Sequence, residues 1–304
     1  MDAQGATTPS PVPTAGPFPQ GPAATGVVLL FPGQGSQTAE MRGIVSEHRP
    51  DLLEAAIEGC GADPFECLDR GTDFAQPAMY AASIAAGERA GRPRAIAMAG
   101  HSLGELAALA AAGAIGVLAG LEVAIARGRL MRRAAEREPP GGMIAVLGDE
   151  DAAQALAADF ELTVANHNAE GQLVLSGPLQ GIDAIAEAAR GRGLRAMRLP
   201  INGAFHSPAM AGAVPEFLAI LQRAGFTTPR VPVYSSVTAA PIDDIPRTLA
   251  GALISPVRWT DTLRELRDAG AERFVEPGPG RVLTGLVKRT LPGVEAVALE
   301  ASGG

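Results

Sequence analysis

The sequence predicts an α/β fold, in which a large domain with a parallel sheet contains an inserted, ferredoxin-like (βαββαβ) subdomain. Short apolar runs such as Val27–Phe31 and 95–99 are bounded by glycine or proline, a pattern typical of strands buried on both faces. Helical patterns follow these runs, as expected for parallel strands joined by crossover helices. Between 143 and 199 the predicted order changes to βαββαβ within roughly 60 residues.

These patterns also predict the domain boundaries. Residues 1–24 are rich in Pro, Gly, Ala and Thr without periodicity, which predicts a disordered arm. The large domain is expected to comprise residues 25–138 and 202–295, with the small subdomain at 139–201 between its two parts. Residues 296–304 are expected to form a flexible tail.

Composition excludes several classes of protein. The 304 residues are 47% hydrophobic and carry a net charge of −8, which argues against a broad nucleic-acid-binding surface. Apolar runs are too short for a membrane span, and the first basic residue is Arg42, unlike the start of a signal peptide. Cys60 and Cys67 have no second pair and no nearby histidine, so neither a zinc site nor a disulfide framework is predicted. A cytoplasmic protein without a bound metal is therefore expected.

The segment Gly100-His-Ser-Leu-Gly104 is the first candidate site. It matches the G-x-S-x-G nucleophile elbow and lies between a predicted buried strand and an Ala- and Leu-rich helix. Such a turn projects its serine hydroxyl beside the amides that begin the helix. Ser102 is therefore a candidate nucleophile, and the elbow predicts that the large domain is α/β-hydrolase-like. The alternative for this segment is an ordinary turn that contains Gly and Ser.

Arg127 is unusual because it lies among apolar positions of a predicted helix at 121–137. A buried guanidinium without an anion is energetically costly. Its partner is expected to be either a carboxylate of the protein or a carboxylate of a substrate held by a bidentate fork.

His206 precedes Ser207 and Pro208, which predict an N-cap and the first residue of a helix extending to about residue 224. A histidine at a helix entrance is favoured as a neutral base, and a hydrogen-bonded structural histidine is the alternative.

A glycine-rich loop at 32–37 lacks both common phosphate-binding motifs, so it either faces a reaction centre or is a plain turn. Pro77 predicts the first turn of a helix that continues to residue 90.

Together the motifs resemble the malonyl-CoA:acyl carrier protein transacylases and the related acyltransferase domains of polyketide synthases. The resemblance extends over most of the chain beyond the arm. The segments are Phe-Pro-Gly-Gln-Gly-Ser-Gln at 31–37, Gln-Pro-Ala at 76–78, Gly-His-Ser-Leu-Gly-Glu at 100–105, Ala-Arg-Gly at 126–128, Asn-His-Asn-Ala-Glu-Gly-Gln at 166–172, Gly-Ala-Phe-His-Ser at 203–207, Ser-Pro-Val-Arg-Trp at 255–259 and Glu-Pro-Gly-Pro-Gly at 276–280.

The resemblance implies a role for each site residue. Ser102 would be the nucleophile, His206 its base, and the backbone amides of Gln34 and Leu103 the oxyanion hole. Arg127 would bind the substrate carboxylate, and Phe205 would select malonyl. A backbone carbonyl in the segment 256–258, assigned to Arg258, would orient the histidine. Gln76 and His101 would line the pocket.

The implied reaction moves malonyl from malonyl-CoA to the phosphopantetheine thiol of acyl carrier protein, for fatty acid or polyketide synthesis. No cofactor is implied, because the CoA thioester is itself a substrate, and a monomer is the default expectation. Carrier proteins are usually acidic, so a basic docking patch is expected. The candidates are Arg281, Lys288 and Arg289, or Arg190, Arg192 and Arg195, and an ordinary solvated surface is the alternative for each.

Four other functions remain open from the sequence. An esterase or thioesterase of the α/β-hydrolase kind shares the elbow. In that family, however, the catalytic acid lies between the Ser and the His in the sequence, and the His lies near the C-terminus. An acyl hydrolase on the transacylase fold, or a trans-acting polyketide acyltransferase with another acyl specificity, would retain the same motifs. A catalytically silent module that binds carrier proteins is the last alternative.

Overall fold

The computed structural model describes residues 26–137 and 139–299, so the predicted N-terminal arm and the last part of the predicted tail lie outside the described residues. The strands are β1 (Val27–Phe31), β2 (Ala97–Gly100), β3 (Gly141–Leu147), β4 (Thr163–Ala169), β5 (Gln172–Pro178), β6 (Arg195–Asn202), β7 (Val233–Tyr234), β8 (Arg273–Glu276) and β9 (Glu295–Ala298).

Helices cover both sheets. They are α1 (Met41–His48), α2 (Pro50–Cys60), α3 (Thr72–Arg89), α4 (Gly104–Ala111), α5 (Val117–Arg137), α6 (Glu150–Asp159), α7 (Leu179–Gly191), α8 (Val214–Arg223), α9 (Ile245–Gly251), α10 (Trp259–Asp268) and α11 (Val282–Thr290), with a 3₁₀ helix at Pro208–Ala213. Within the described ranges, none is both long and apolar enough to cross a lipid bilayer.

Five strands form a parallel sheet in the order β7-β2-β1-β8-β9, which confirms the predicted α/β fold with a parallel sheet. β1 lies at its centre and every residue of it is buried, because the run Val-Val-Leu-Leu-Phe has no polar side chain to turn toward water. Phe31 pairs with Gly100, so β1 and β2 end at the same edge of the sheet. The loops that follow these strands therefore meet, as at the carboxyl edge of other open α/β sheets.

The other four strands form a separate antiparallel sheet in the order β4-β5-β3-β6. One face packs Ile144, Val146 and Leu175 in a core with residues of α6 and α7. The opposite face, which includes Met143, Ala145 and Val174, belongs to the main core. We call this second face the cleft face, because it is turned toward the parallel-sheet domain.

Several predicted boundaries were wrong, including the start of α5, which lies at Val117 and not at residue 121. α3 begins at Thr72, so Pro77 lies inside the helix; its lost hydrogen bond is tolerated because packing stabilises a helix that is buried for most of its length. The helix predicted from Pro208 to about 224 is a 3₁₀ helix followed by α8, because Pro215 has no N–H to continue the first segment. Residues expected in the C-terminal tail form β9, whose pairing with β8 is a tertiary contact that local pattern does not reveal.

Candidate active site

Ser102 lies at the tip of the turn between β2 and α4. Its φ is 53°, in the left-handed region that residues other than glycine rarely adopt. A Cβ at Gly100 would lie 1.9 Å from the carbonyl carbon of Gly104, and a Cβ at Gly104 would lie 2.0 Å from the carbonyl oxygen of Phe31. Neither position can accept a side chain, so the two glycines permit the sharp turn that exposes the serine hydroxyl.

His206 lies against this hydroxyl and is held from its other side. Its Nε2 is 2.8 Å from Ser102 Oγ. Its Nδ1 is 2.9 Å from the carbonyl oxygen of Ala252 and 3.1 Å from that of Ser255. Carbonyl oxygens only accept hydrogen bonds, so Nδ1 carries the proton and Nε2 is left to accept the proton of the serine.

The assignment of the orienting carbonyl to Arg258 was wrong. The carbonyl of Arg258 instead accepts the backbone N–H and the hydroxyl of Thr262, because Arg258 is the N-cap residue of α10. Ala252 is the C-cap residue of α9, where helix carbonyls have no partner within the helix. The end of α9 and the residue before Pro256 therefore supply the oxygens that orient His206.

Burial keeps the imidazole of His206 neutral. The side chain is buried, and this burial, together with the positive charge of Arg127 and the neighbouring His101, lowers the pKa of His206 to about 3. Since the ordinary pKa of histidine is about 6.5, the protonated fraction near neutral pH is negligible. The ring is thus available as a base without first losing a proton.

Arg127 is buried and also contacts Ser102. Its Nη1 donates to Gln76 Oε1 at 2.8 Å and its Nη2 donates to Ser102 Oγ at 3.2 Å. Burial lowers the pKa of Arg127 to about 10, and the guanidinium remains charged at neutral pH. Across the described residues, no carboxylate oxygen lies within 4.0 Å of it. The internal carboxylate considered from the sequence is therefore not in direct contact with this arginine.

A chain of polar side chains connects Arg127 to the glycine-rich loop after β1. Gln76 Nε2 donates to Thr72 Oγ1 at 2.8 Å, and Thr72 Oγ1 donates to Gln34 Oε1 at 3.0 Å. The backbone amides of Gln34 and Leu103 make no hydrogen bond within the described part of the chain. Since both residues line the cavity at Ser102, these amides can donate to an oxyanion there.

Glu105 supports the turn from behind and was missed from the sequence. It is fully buried, and its Oε1 accepts hydrogen bonds from Ser236 Oγ at 2.8 Å and Ser235 Oγ at 3.1 Å. Ser236 Oγ in turn accepts the backbone N–H of Ser102 at 3.4 Å. Burial raises the pKa of Glu105. The sequence feature that could have revealed this role is a carboxylate inside an otherwise apolar helix.

A cavity of about 120 Å³ lies between the parallel-sheet domain and the cleft face. The predicted lining residues Gln76 and His101 both contribute to its wall, as does Phe205. Asn166 and Asn168 also line it, and Asn168 Oδ1 is 2.8 Å from His101 Nε2. These asparagines were missed because their contact with the elbow depends on how the two sheets pack. Clusters of three or more residues suited to bind a metal are absent from the described ranges.

Known proteins are similar to this chain along most of its length. The sequence profile of the acyl transferase domain matches residues 62–302. The chain is 39% identical over 296 residues to the polyketide biosynthesis protein ThaF of Burkholderia thailandensis, covering 90% of this chain but only 25% of that longer protein. It is 37% identical over 289 residues to the polyketide biosynthesis malonyl CoA-acyl carrier protein transacylase BaeC of Bacillus velezensis, covering 89% and 98% of the two chains.

Solved structures extend the similarity to the whole fold. The malonyl-CoA:acyl carrier protein transacylase of Xanthomonas oryzae superposes with a TM-score of 0.83 at 33% identity, covering 91% of this chain and 95% of that one. The MCAT protein from Mycobacterium tuberculosis gives a TM-score of 0.82, also at 33% identity, with 90% and 95% of the chains covered.

Proposed function

The chain belongs to the acyl transferase domain family, and we propose that it transfers malonyl from malonyl-CoA to the phosphopantetheine thiol of acyl carrier protein. In this proposal an ester on Ser102 carries the malonyl group between the two thiols. The acceptor would serve fatty acid or polyketide synthesis. Of the similar proteins, BaeC is named for polyketide biosynthesis, whereas the Escherichia coli protein is named only as a malonyl CoA-acyl carrier protein transacylase.

The observation that carries the proposal is the buried Arg127 beside the nucleophile. Its guanidinium lies 3.2 Å from Ser102 Oγ and has no carboxylate partner in the described ranges. A malonyl thioester places a free carboxylate two bonds from the reacting carbonyl carbon, so one group can meet Ser102 while the other meets Arg127. A bidentate carboxylate would neutralise the buried charge. The small cavity of about 120 Å³ fits a short acyl group.

In the first half-reaction, Ser102 Oγ attacks the thioester carbonyl while His206 Nε2 accepts the hydroxyl proton. The amides of Gln34 and Leu103 stabilise the resulting oxyanion. When the tetrahedral intermediate collapses, the C–S bond breaks and His206 returns the proton to the departing thiol of CoA. Ser102 then holds malonyl as an ester.

In the second half-reaction, the carrier thiol gives its proton to His206 and its sulfur attacks the ester. The C–O bond to Ser102 breaks, and His206 reprotonates the serine. One thioester is exchanged for another of similar energy, so the residues need only position the reactants and stabilise the oxyanion.

Release of CoA with and without the phosphopantetheinylated carrier tests the proposed reaction. We expect CoA release to depend on the carrier, with one malonyl group appearing on the carrier for each CoA. Steady release without carrier, with free malonate as the product, would instead show an acyl hydrolase. A different acyl donor is indicated if malonyl-CoA gives neither product but another acyl-CoA does.

Phe205 is expected to make the enzyme favour malonyl-CoA over methylmalonyl-CoA. Its ring lines the cavity and packs on Gly203, where a Cβ would lie 2.7 Å from the ring, so it has little room to move. An extra methyl group in a fitted pocket costs about 1–3 kcal/mol, or roughly 10- to 200-fold in kcat/KM. Competition between the two esters measures this ratio, and Phe205→Leu should reduce it. Equal kcat/KM values for the wild type would refute the role of Phe205.

A further inference from the structure

The peptide groups of Ser102 are held on both sides by residues outside the catalytic pair. The carbonyl oxygen of Ser102 accepts the backbone N–H of Glu105 at 3.1 Å. The backbone N–H of Ser102 has one hydrogen-bond partner within the described ranges, the hydroxyl of Ser236 at 3.4 Å. Since the φ of Ser102 is 53°, which is unfavourable for a residue with a side chain, the turn depends on such contacts to keep its conformation.

Glu105 fixes the direction in which the hydroxyl of Ser236 points. The Oε1 atom of Glu105 accepts hydrogen bonds from the hydroxyls of Ser235, at 3.1 Å, and Ser236, at 2.8 Å, and also from the backbone N–H of Ser236. All three side chains are buried. Because a hydroxyl has a single proton, Ser236 gives that proton to the carboxylate and presents only lone pairs to the N–H of Ser102. The carboxylate therefore sets the geometry of the contact with the nucleophile.

Ser236 is also bonded to the segment that orients His206. The carbonyl oxygen of Ser236 accepts the backbone N–H of Arg258 at 2.6 Å. Three residues earlier in the chain, the carbonyl oxygen of Ser255 lies 3.1 Å from Nδ1 of His206. Pro256 has a fixed φ, which restricts the movement of this short segment. Ser236 therefore contacts the nucleophile through its side chain and the support of the base through its backbone.

We infer that Ser236 is a positioning residue, which keeps the hydroxyl of Ser102 aligned with Nε2 of His206 for proton transfer. Glu105 acts through it by fixing the serine hydroxyl. The inference rests on the proposed function, since it concerns the same catalytic pair. A base accepts a proton efficiently only from about 2.6–3.2 Å, so a small rotation of the turn is enough to separate the two groups. Neither Ser236 nor Glu105 lines the cavity, so both act without touching the substrate.

Ser236→Ala tests the inference, with Ser235→Ala as its matched control. Both changes remove a buried hydroxyl that donates to the same oxygen of Glu105, but Ser235 makes no hydrogen bond to Ser102. We expect Ser236→Ala to slow the acylation of Ser102 by malonyl-CoA roughly 10- to 100-fold, since a misplacement of about 1 Å can cost 10²-fold. Ser235→Ala should stay close to the wild-type rate. Quenched single turnovers, in which intact mass follows the ester, measure these rates.

Three further readouts separate positioning from a general loss of structure. The concentration of malonyl-CoA that half-saturates the single-turnover rate should not change, because Arg127 bonds to neither Ser235 nor Ser236. The two serine variants should lose similar amounts of thermal stability, because each loses one buried hydrogen bond to Glu105. Glu105→Gln retains an oxygen that accepts both hydroxyls, so it should acylate faster than Glu105→Ala.

An unchanged acylation rate in Ser236→Ala, or an equal fall in Ser235→Ala, would overturn the inference. So would a slower Ser236→Ala whose rate recovers fully at saturating malonyl-CoA, because the change would then lie in binding.

Failure of the proposed function would look different, because malonyl-CoA would then acylate not even the wild type. A fluorophosphonate makes the same comparison in that case, since it reacts with an activated serine by forming an O–P bond and releasing fluoride. It should label Ser236→Ala more slowly than Ser235→Ala, and equal labelling rates would overturn the inference. A wild type that neither reagent modifies would overturn both the inference and the proposed function.

Discussion

Alanine at Ser102, at His206 or at both is expected to lower kcat/KM for malonyl transfer by a similar factor, on the order of 10⁴ or more. The two side chains are 2.8 Å apart and act as one unit, since the hydroxyl is reactive only while the ring accepts its proton. Once either side chain is lost, removal of the other should lower kcat/KM little further. Steady-state transfer to the carrier, measured for the two single variants and the double variant, checks this non-additivity.

Ser46→Ala is the matched control for the serine, because Ser46 is exposed on α1, away from the cavity. Far-UV circular dichroism should show that all variants remain folded. Effects of Ser102→Ala and His206→Ala that multiply in the double variant would contradict the account, since they would indicate two independent roles.

Arg127→Ala should change the acyl selectivity of the enzyme. Removing one partner of a buried ion pair costs about 3–5 kcal/mol, so kcat/KM for malonyl-CoA is expected to fall by roughly 10²- to 10⁴-fold. Acetyl-CoA has no free carboxylate for the guanidinium to bind, and its kcat/KM should fall much less or rise. The ratio of the two kcat/KM values is the measurement, because it cancels any general loss of active protein.

The same helix offers a control for this experiment. Arg133 of α5 is half-exposed and pairs with Glu216 at the surface, so Arg133→Ala should leave the malonyl to acetyl ratio unchanged. An equal loss for both esters in Arg127→Ala would contradict carboxylate binding. It would indicate that Arg127 only supports Gln76 and the elbow.

Features determined locally could be predicted from the sequence. The glycines on either side of Ser102, the apolar run of β1 and the arginine within an apolar stripe each depend on neighbours in the chain, and each is seen in the fold. The family resemblance added the pairing of Ser102 with His206, which lie 104 positions apart and which no local pattern connects.

The features that could not be predicted depend on tertiary packing. The carbonyls that orient His206 come from Ala252 and Ser255, at the end of a short helix with no strong pattern of its own. The support of Ser102 by Glu105 passes through Ser236, from the segment after a strand of only two residues.

The most direct test of a malonyl ester on Ser102 is the intact mass of the protein after brief exposure to malonyl-CoA without carrier. The account predicts a wild-type adduct equal to one malonyl group, lost when holo carrier protein is added, and no adduct on Ser102→Ala. An adduct that persists on Ser102→Ala would place the acyl group on another residue and contradict the account. So would transfer of malonyl to the carrier by a wild type that never acquires an adduct.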